Sequence, residues 1–203
     1  GLIWLSTEAA KGSTYKAKVD QDVDRADNLY ATDSTYGYLH YFSSDEEHDG
    51  AMKTGNSFKL SLADDDYTFG FKKNSGVALE GIESNKVYWR GILQKAGDDK
   101  YKIVGAPKKG AEAGAKTADN KLFLVNASGS RITVGHYYKD ADGYYLAVLD
   151  GDDTAGYVVA AYDTANDAKK DIADFKAGTI TAPSALAVKK GSVDTTTGKA
   201  IWS

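Results

Sequence analysis

Apolar and polar residues alternate with period two through most of this chain, the pattern of strands that bury one face. In "SFKLSL", Phe58, Leu60 and Leu62 share a face; after the acidic "ADDD", the run "YTFGF" sets Tyr67, Phe69 and Phe71 on one face. Two such runs joined by so short a loop predict a β-hairpin. "KVYWRGIL" continues the alternation, with Val87, Trp89 and Leu93 opposite Tyr88, Arg90 and Ile92. Further strands are expected over 14–19, 35–43, 100–105, 121–126, 130–139, 143–149 and 155–162. At 143–149 and 157–162 both faces are apolar, as in a strand covered on two sides. Clusters of Gly, Asp, Asn and Ser part these runs, so the fold is expected to be mainly β: an antiparallel sandwich or barrel of roughly ten or more strands.

One segment changes period. In "DTANDAKKDIADFKAG", Ala165, Ala168, Ile172 and Phe175 form a helical stripe, Asp163 or Thr164 stands where a cap belongs, and Gly178 stands where helices stop. This predicts a single short helix near residues 164–177. The stretch 105–120, "GAPKKGAEAGAKTADN", has no periodicity and few bulky apolar residues, which reads as a long loop or a junction between lobes. On that reading residues 1–178 make a main β domain. Residues 179–203 add a terminal strand pair, with Pro183 opening the first strand. That tail resembles the first two strands of a fibronectin-type or bacterial immunoglobulin-like module, with Trp202 as its core residue. The resemblance stops there, whereas such a sandwich needs about seven strands.

Composition narrows the partners. The 203 residues are 42% hydrophobic and 27% charged, enough to bury a core. Asp outnumbers Glu 23 to 6 and Lys outnumbers Arg 22 to 3, a balance that suits turns and strands over helices. A net charge of −4 with three arginines and no basic run argues against nucleic-acid binding. With no cysteine, disulfides, thiolate metal sites and cysteine nucleophiles are absent. "GLIWL" at the start is far shorter than the roughly 20 residues that cross a bilayer, so no membrane span is expected. A start at Gly1 and a chain rich in Tyr, Thr, Asp and Gly suggest an exported protein, placed outside the cell, on its surface or in a virion.

Three kinds of site compete with structural readings of the same residues. "DADGYYLAVLDGDDTAGYVVAAYD" places Asp140 and Asp142, then Asp150, Asp152 and Asp153, in glycine-containing turns on either side of a strand. Calcium needs six to eight oxygens, so these carboxylates are its candidate ligands, although no Glu completes an EF-hand loop. The competing reading is that Asp and Gly only turn the chain. "DQDVDRAD" offers the same choice: Asp20, Asp22 and Asp24 share a face if the segment is extended.

"YGYLHYF" and "VGHYY" set His40 and His136 among tyrosines, and with Tyr38, Tyr137 and Trp89 they are the candidate face for a haem or a carbohydrate. An ordinary aromatic face in a core competes with that reading. "NAS" at Asn126 is a formal glycosylation acceptor. No nucleophile elbow, HExxH or glycine-rich phosphate loop occurs, so no enzyme is expected.

The apolar ends, Leu2, Ile3, Trp4 and Leu5 with Ile201 and Trp202, need a cover. The expectation that follows is a homo-oligomeric or polymeric structural subunit of a filament, sheath, surface layer or virion. It would join through terminal strands and sheet edges, with calcium as a candidate stabiliser. The alternative is a secreted module that binds a carbohydrate or haem.

Overall fold

In the computed structural model, the described residues are 1–5, 19–23, 38–47, 50–62, 65–106, 121–194 and 200–203. They form fifteen strands and one α-helix, so the protein is mainly β, with antiparallel sheets. The chain divides into two compact units.

The first unit draws on residues 1–80 and 88–93. Strand β1 (Leu2–Leu5) lies between β2 (Val19–Val23) and β3 (Tyr38–Tyr41), antiparallel to both. The expected hairpin forms from β4 (Gly55–Leu62) and β5 (Asp65–Phe71), and Leu60 opposes Tyr67 across it. The alternation works as read: Leu62, Phe69 and Phe71 are buried, with Phe58, Leu60 and Tyr67 packed against them. Leu2 and Leu39 belong to the same cluster, and the Ala78 amide donates to the Leu39 carbonyl at 2.8 Å.

The run 87–93 departs from expectation. It is two short strands, β7 (Lys86–Trp89) and β8 (Ile92–Leu93), folded back on Arg90 and Gly91 so that Trp89 opposes Ile92. Both turn residues have positive φ, 50° and 82°, as a two-residue hairpin turn with the handedness of twisted strands requires. Glycine supplies one of these positions without strain. The other is a buried arginine, and its Nη1 lies 3.6 Å from the buried Glu80 carboxylate.

The second unit draws on residues 81–87, 94–109 and 117–203. It begins with β6 (Gly81–Glu83), which turns into β7 on Ser84 and Asn85, again both at positive φ. Its main sheet runs in the order β11 (Tyr137–Lys139), β12 (Tyr145–Asp152), β13 (Gly156–Tyr162), β14 (Lys189–Val193), β15 (Ala200–Trp202).

Helix α1 (Ala165–Ala177) covers one face of that sheet. Ala168, Ile172 and Phe175 pack on Ala147, Leu149, Ala160 and Tyr162. The Thr164 hydroxyl accepts from the Asp167 amide at 3.2 Å, and Gly178 ends the helix at φ 72°. The hairpin of β9 (Tyr101–Ala106) and β10 (Lys121–Asn126) meets β13, β14 and β15, with the Phe123 and Tyr157 rings 5.6 Å apart. Strand β13 is therefore covered on both sides, and Leu146 to Leu149 of β12 are all buried, as their apolar sequences on both faces require.

The strands end in free sheet edges, and no sheet closes on itself among the described residues, so the barrel alternative is corrected. Closure requires every strand to have two neighbours, and among the described residues β11 and β15 each have one. The expected strand over 130–139 shrinks to β11. Asn126 holds the preceding turn by accepting from the Ser128 and Ser130 amides, and Gly135 adopts φ 85°. Residues 179–188 form no strand, so the terminal pair starts at Lys189, six residues after Pro183. Residues 14–18 of the strand expected over 14–19, and residues 107–120 of the loop expected over 105–120, lie outside the described residues.

Candidate ligand-binding groove

The aspartates of the opening motif are brought to opposite ends of β12. Asp140 closes the turn that enters it: its Oδ1 accepts from the Tyr144 amide at 2.8 Å, its own amide donates to the Tyr144 carbonyl, and Gly143 takes φ 97°. Asp152 closes the turn that leaves it, accepting from Thr154 and Ala155 amides at 2.7 and 2.6 Å. Those bonds, Ala155 foremost, hold the Asp152 carboxyl below its usual range. Asp153 receives Arg131 Nη1 at 2.9 Å and the Tyr157 hydroxyl at 2.5 Å. Burial, together with Asp153, pushes that phenol up to about 12.

Seven residue steps along β12 at about 3.3 Å each separate the two ends by roughly 23 Å. The five carboxylates do not converge on one ion. No group of three His, Asp or Glu side chains with metal-binding geometry occurs among the described residues. Asp20 and Asp22 lie in β2, and Asp24 lies outside the described residues.

The aromatic and histidine candidates are divided. His40 is fully buried in the first unit, where its Nε2 lies 3.2 Å from the Ser75 carbonyl and its ring faces Phe42. Trp89 is buried in the same unit, and Tyr38 lies in β3. His136 and Tyr137 belong to the second unit, the former exposed and the latter part-buried beside Tyr145.

Of the residues proposed for assembly, Leu2 to Leu5 sit in β1, with backbone partners on both sides. Ile201 sits on the outermost strand of its sheet and is 42% exposed. Asn126 spends its side-chain oxygen on the turn at 126–130. Comparison with known protein families, curated proteins and solved structures finds no match to this chain. Its chemistry therefore rests on its own geometry.

That geometry includes one groove that the sequence reading did not assemble. It has a volume of about 240 Å³ and lies wholly in the second unit. Ile103 and Leu146, both buried, give it an apolar floor. Tyr101 and Trp202 contribute rings. Tyr101 is braced by a stacked Tyr138 at 4.9 Å with the planes 14° apart.

Trp202 opposes Gly191 in the β14–β15 pair and covers it, since a Cβ built there would meet the indole at 3.4 Å. Asp99, Asp140 and Asp142 stand along the rim with Lys102. The Ala141 amide donates to the Asp99 carbonyl at 3.0 Å, tying the two rim loops together.

Asp140 and Asp142, candidate ion ligands from the sequence, and Trp202, a candidate joint, all line this groove. Asp99, Tyr101 and Lys102 join them without any local signal in the sequence. The "AGDDKYK" stretch that holds them reads only as a turn leading into a strand, and nothing local shows that 140–142 folds against it.

Proposed function

We propose that this chain is an exported structural subunit that assembles with copies of itself, joined through the outer edge of β15. The observation that carries the reading is the position of β15 at the end of its sheet, with Ile201 projecting from it 42% exposed. A strand edge presents a row of amides and carbonyls that a second strand completes, and an exposed β-branched residue adds apolar contact to that pairing. The apolar β1 is already paired on both sides and the two-faced strands β12 and β13 are covered internally, so the proposal uses neither. Composition supports a location outside the cell, and the layered β architecture suits a load-bearing, non-catalytic role.

The test is particle size by light scattering across a concentration series, first in EDTA and then in excess Ca²⁺, for the native chain and for Ile201→Lys. Large species that Ile201→Lys disperses are expected, with calcium dependence reporting on the aspartate turns. A monomer at all concentrations in both buffers would falsify the assembly reading.

A further inference from the structure

We propose that the groove between the 99–103 and 140–146 segments is a saccharide site that takes a single neutral or amino pyranose. The inference is independent of assembly through β15, because Trp202 lies against the groove whereas Ile201, its neighbour in the strand, points to the other face.

A pyranose has two chemical surfaces, an apolar one of C–H groups and an equatorial belt of hydroxyls. The groove offers a match to each. Ile103, Leu146, Tyr101 and Trp202 supply apolar and ring surface, and the electron-rich face of an aromatic ring attracts polarised C–H groups. Asp99 and Asp142 supply carboxylate oxygens that accept from hydroxyls, and each carboxylate can take two vicinal donors.

Among the described residues Asp99 and Asp142 make no side-chain hydrogen bond to protein, unlike Asp152 and Asp153 at the far end of β12. Both carboxylates are exposed, so ligand hydroxyls can replace water on them. Asp140 keeps its Oδ1 on the Tyr144 amide and acts as a brace for the rim.

Size and charge restrict the class. The groove has a volume of about 240 Å³. That suits one sugar ring and is below the range of drug-sized or haem-sized sites, about 300–1,000 Å³. Three carboxylates against one lysine leave the rim negative, which disfavours uronic acids and tolerates an amine. The rings are pre-placed, Tyr101 by its stack on Tyr138 and Trp202 by its seat over Gly191, so binding orders little.

The test is titration of the full chain with glucose, glucosamine, glucuronate and ethanolamine, followed by backbone amide shifts. A ligand of a dozen heavy atoms at ordinary efficiency binds with a Kd on the order of 1 mM. The expected result is saturable shifts confined to residues 99–103, 140–146 and 200–203 with at least one of the two hexoses. Glucuronate should be weaker by about tenfold or more, and the variants Asp142→Ala and Asp99→Ala should each lose about tenfold while keeping the native spectrum.

Absence of saturable shifts with both hexoses up to about 100 mM overturns the proposal. Unchanged binding in both Asp variants also overturns it. Ethanolamine binding as tightly as glucosamine reduces the groove to a cation trap and overturns it too. Running the titration in the Ile201→Lys background, in which the assembly reading expects a dispersed chain, keeps these outcomes separate from assembly.

Discussion

Asp171 is the residue whose replacement should cost the second unit most for the smallest change in shape. It is fully buried on α1, yet its two oxygens accept three bonds: Tyr162 Oη at 2.7 Å, the Ser184 amide at 2.9 Å and Ser184 Oγ at 2.6 Å. The carboxylate thereby ties the helix to β13 and to the segment that leads to β14. Burial alone would raise its pKa, but these donors outweigh burial and hold the carboxyl below its usual range.

Asp171→Ala leaves a buried phenol and an amide without their acceptor, at about 1–3 kcal/mol each, so a loss of about 3–4 kcal/mol is expected. Asp171→Asn keeps the volume and one acceptor but loses the charge, and about 2 kcal/mol is expected. With a urea slope of about 2 kcal/mol per molar, a 3 kcal/mol loss moves the midpoint by about 1.5 M. Hydrogen exchange of residues 180–188 read beside the urea curve assigns the loss to this tether.

The pH dependence supplies the sharper test. A carboxyl with a depressed folded pKa contributes stability that is present above its unfolded value, near 4, and is lost as pH falls through the lower folded value. The gap between native and Asp171→Asn proteins should therefore be full at pH 7 and shrink as pH falls through the depressed folded value. A gap under about 0.5 kcal/mol at pH 7, or one that persists unchanged in acid, refutes the reasoning.

Glu80 has the opposite sign: burial pushes its carboxyl up to about 7 against the pull of Arg90. Its stabilising contribution is complete below pH 4.5 and is lost as pH rises through about 7, so the melting temperature of the native chain should fall across that window. Glu80→Gln should flatten the fall, and an equally steep fall in that variant would remove Glu80 as its source. At Gly151, φ is 118° and a Cβ would lie 2.1 Å from the Gly156 carbonyl oxygen, a backbone atom of the facing strand. Gly151→Ala should cost about 2–3 kcal/mol by urea denaturation, and a cost under about 0.5 kcal/mol would show that the β12–β13 turn can yield.

By itself the sequence determined the local elements. Period two marked β4, β5, β10, β12 and β13, and the one change of period marked α1 together with its cap and stop, because alternation and capping are properties of neighbours along the chain. It erred where a turn hides inside an apolar run. Arg90–Gly91 breaks what reads as one strand, since a buried arginine at positive φ is sustained by Glu80 and by tertiary packing that no local pattern reveals.

Asp171 had a legible trace, sitting three residues from Ala168 on the apolar stripe, but its reason for being there is Ser184 and Tyr162, which only folding brings near. The same division holds for function. The chain shows which residues are aspartate turns and which are aromatic. The tertiary structure alone decided that Asp99 and Asp142 line one groove and that Trp202 stands in it with Tyr101. Such contacts join residues up to about a hundred positions apart, whose approach is set by sheet order and layer packing, and those are settled by the free energy of the whole unit rather than by any segment of it.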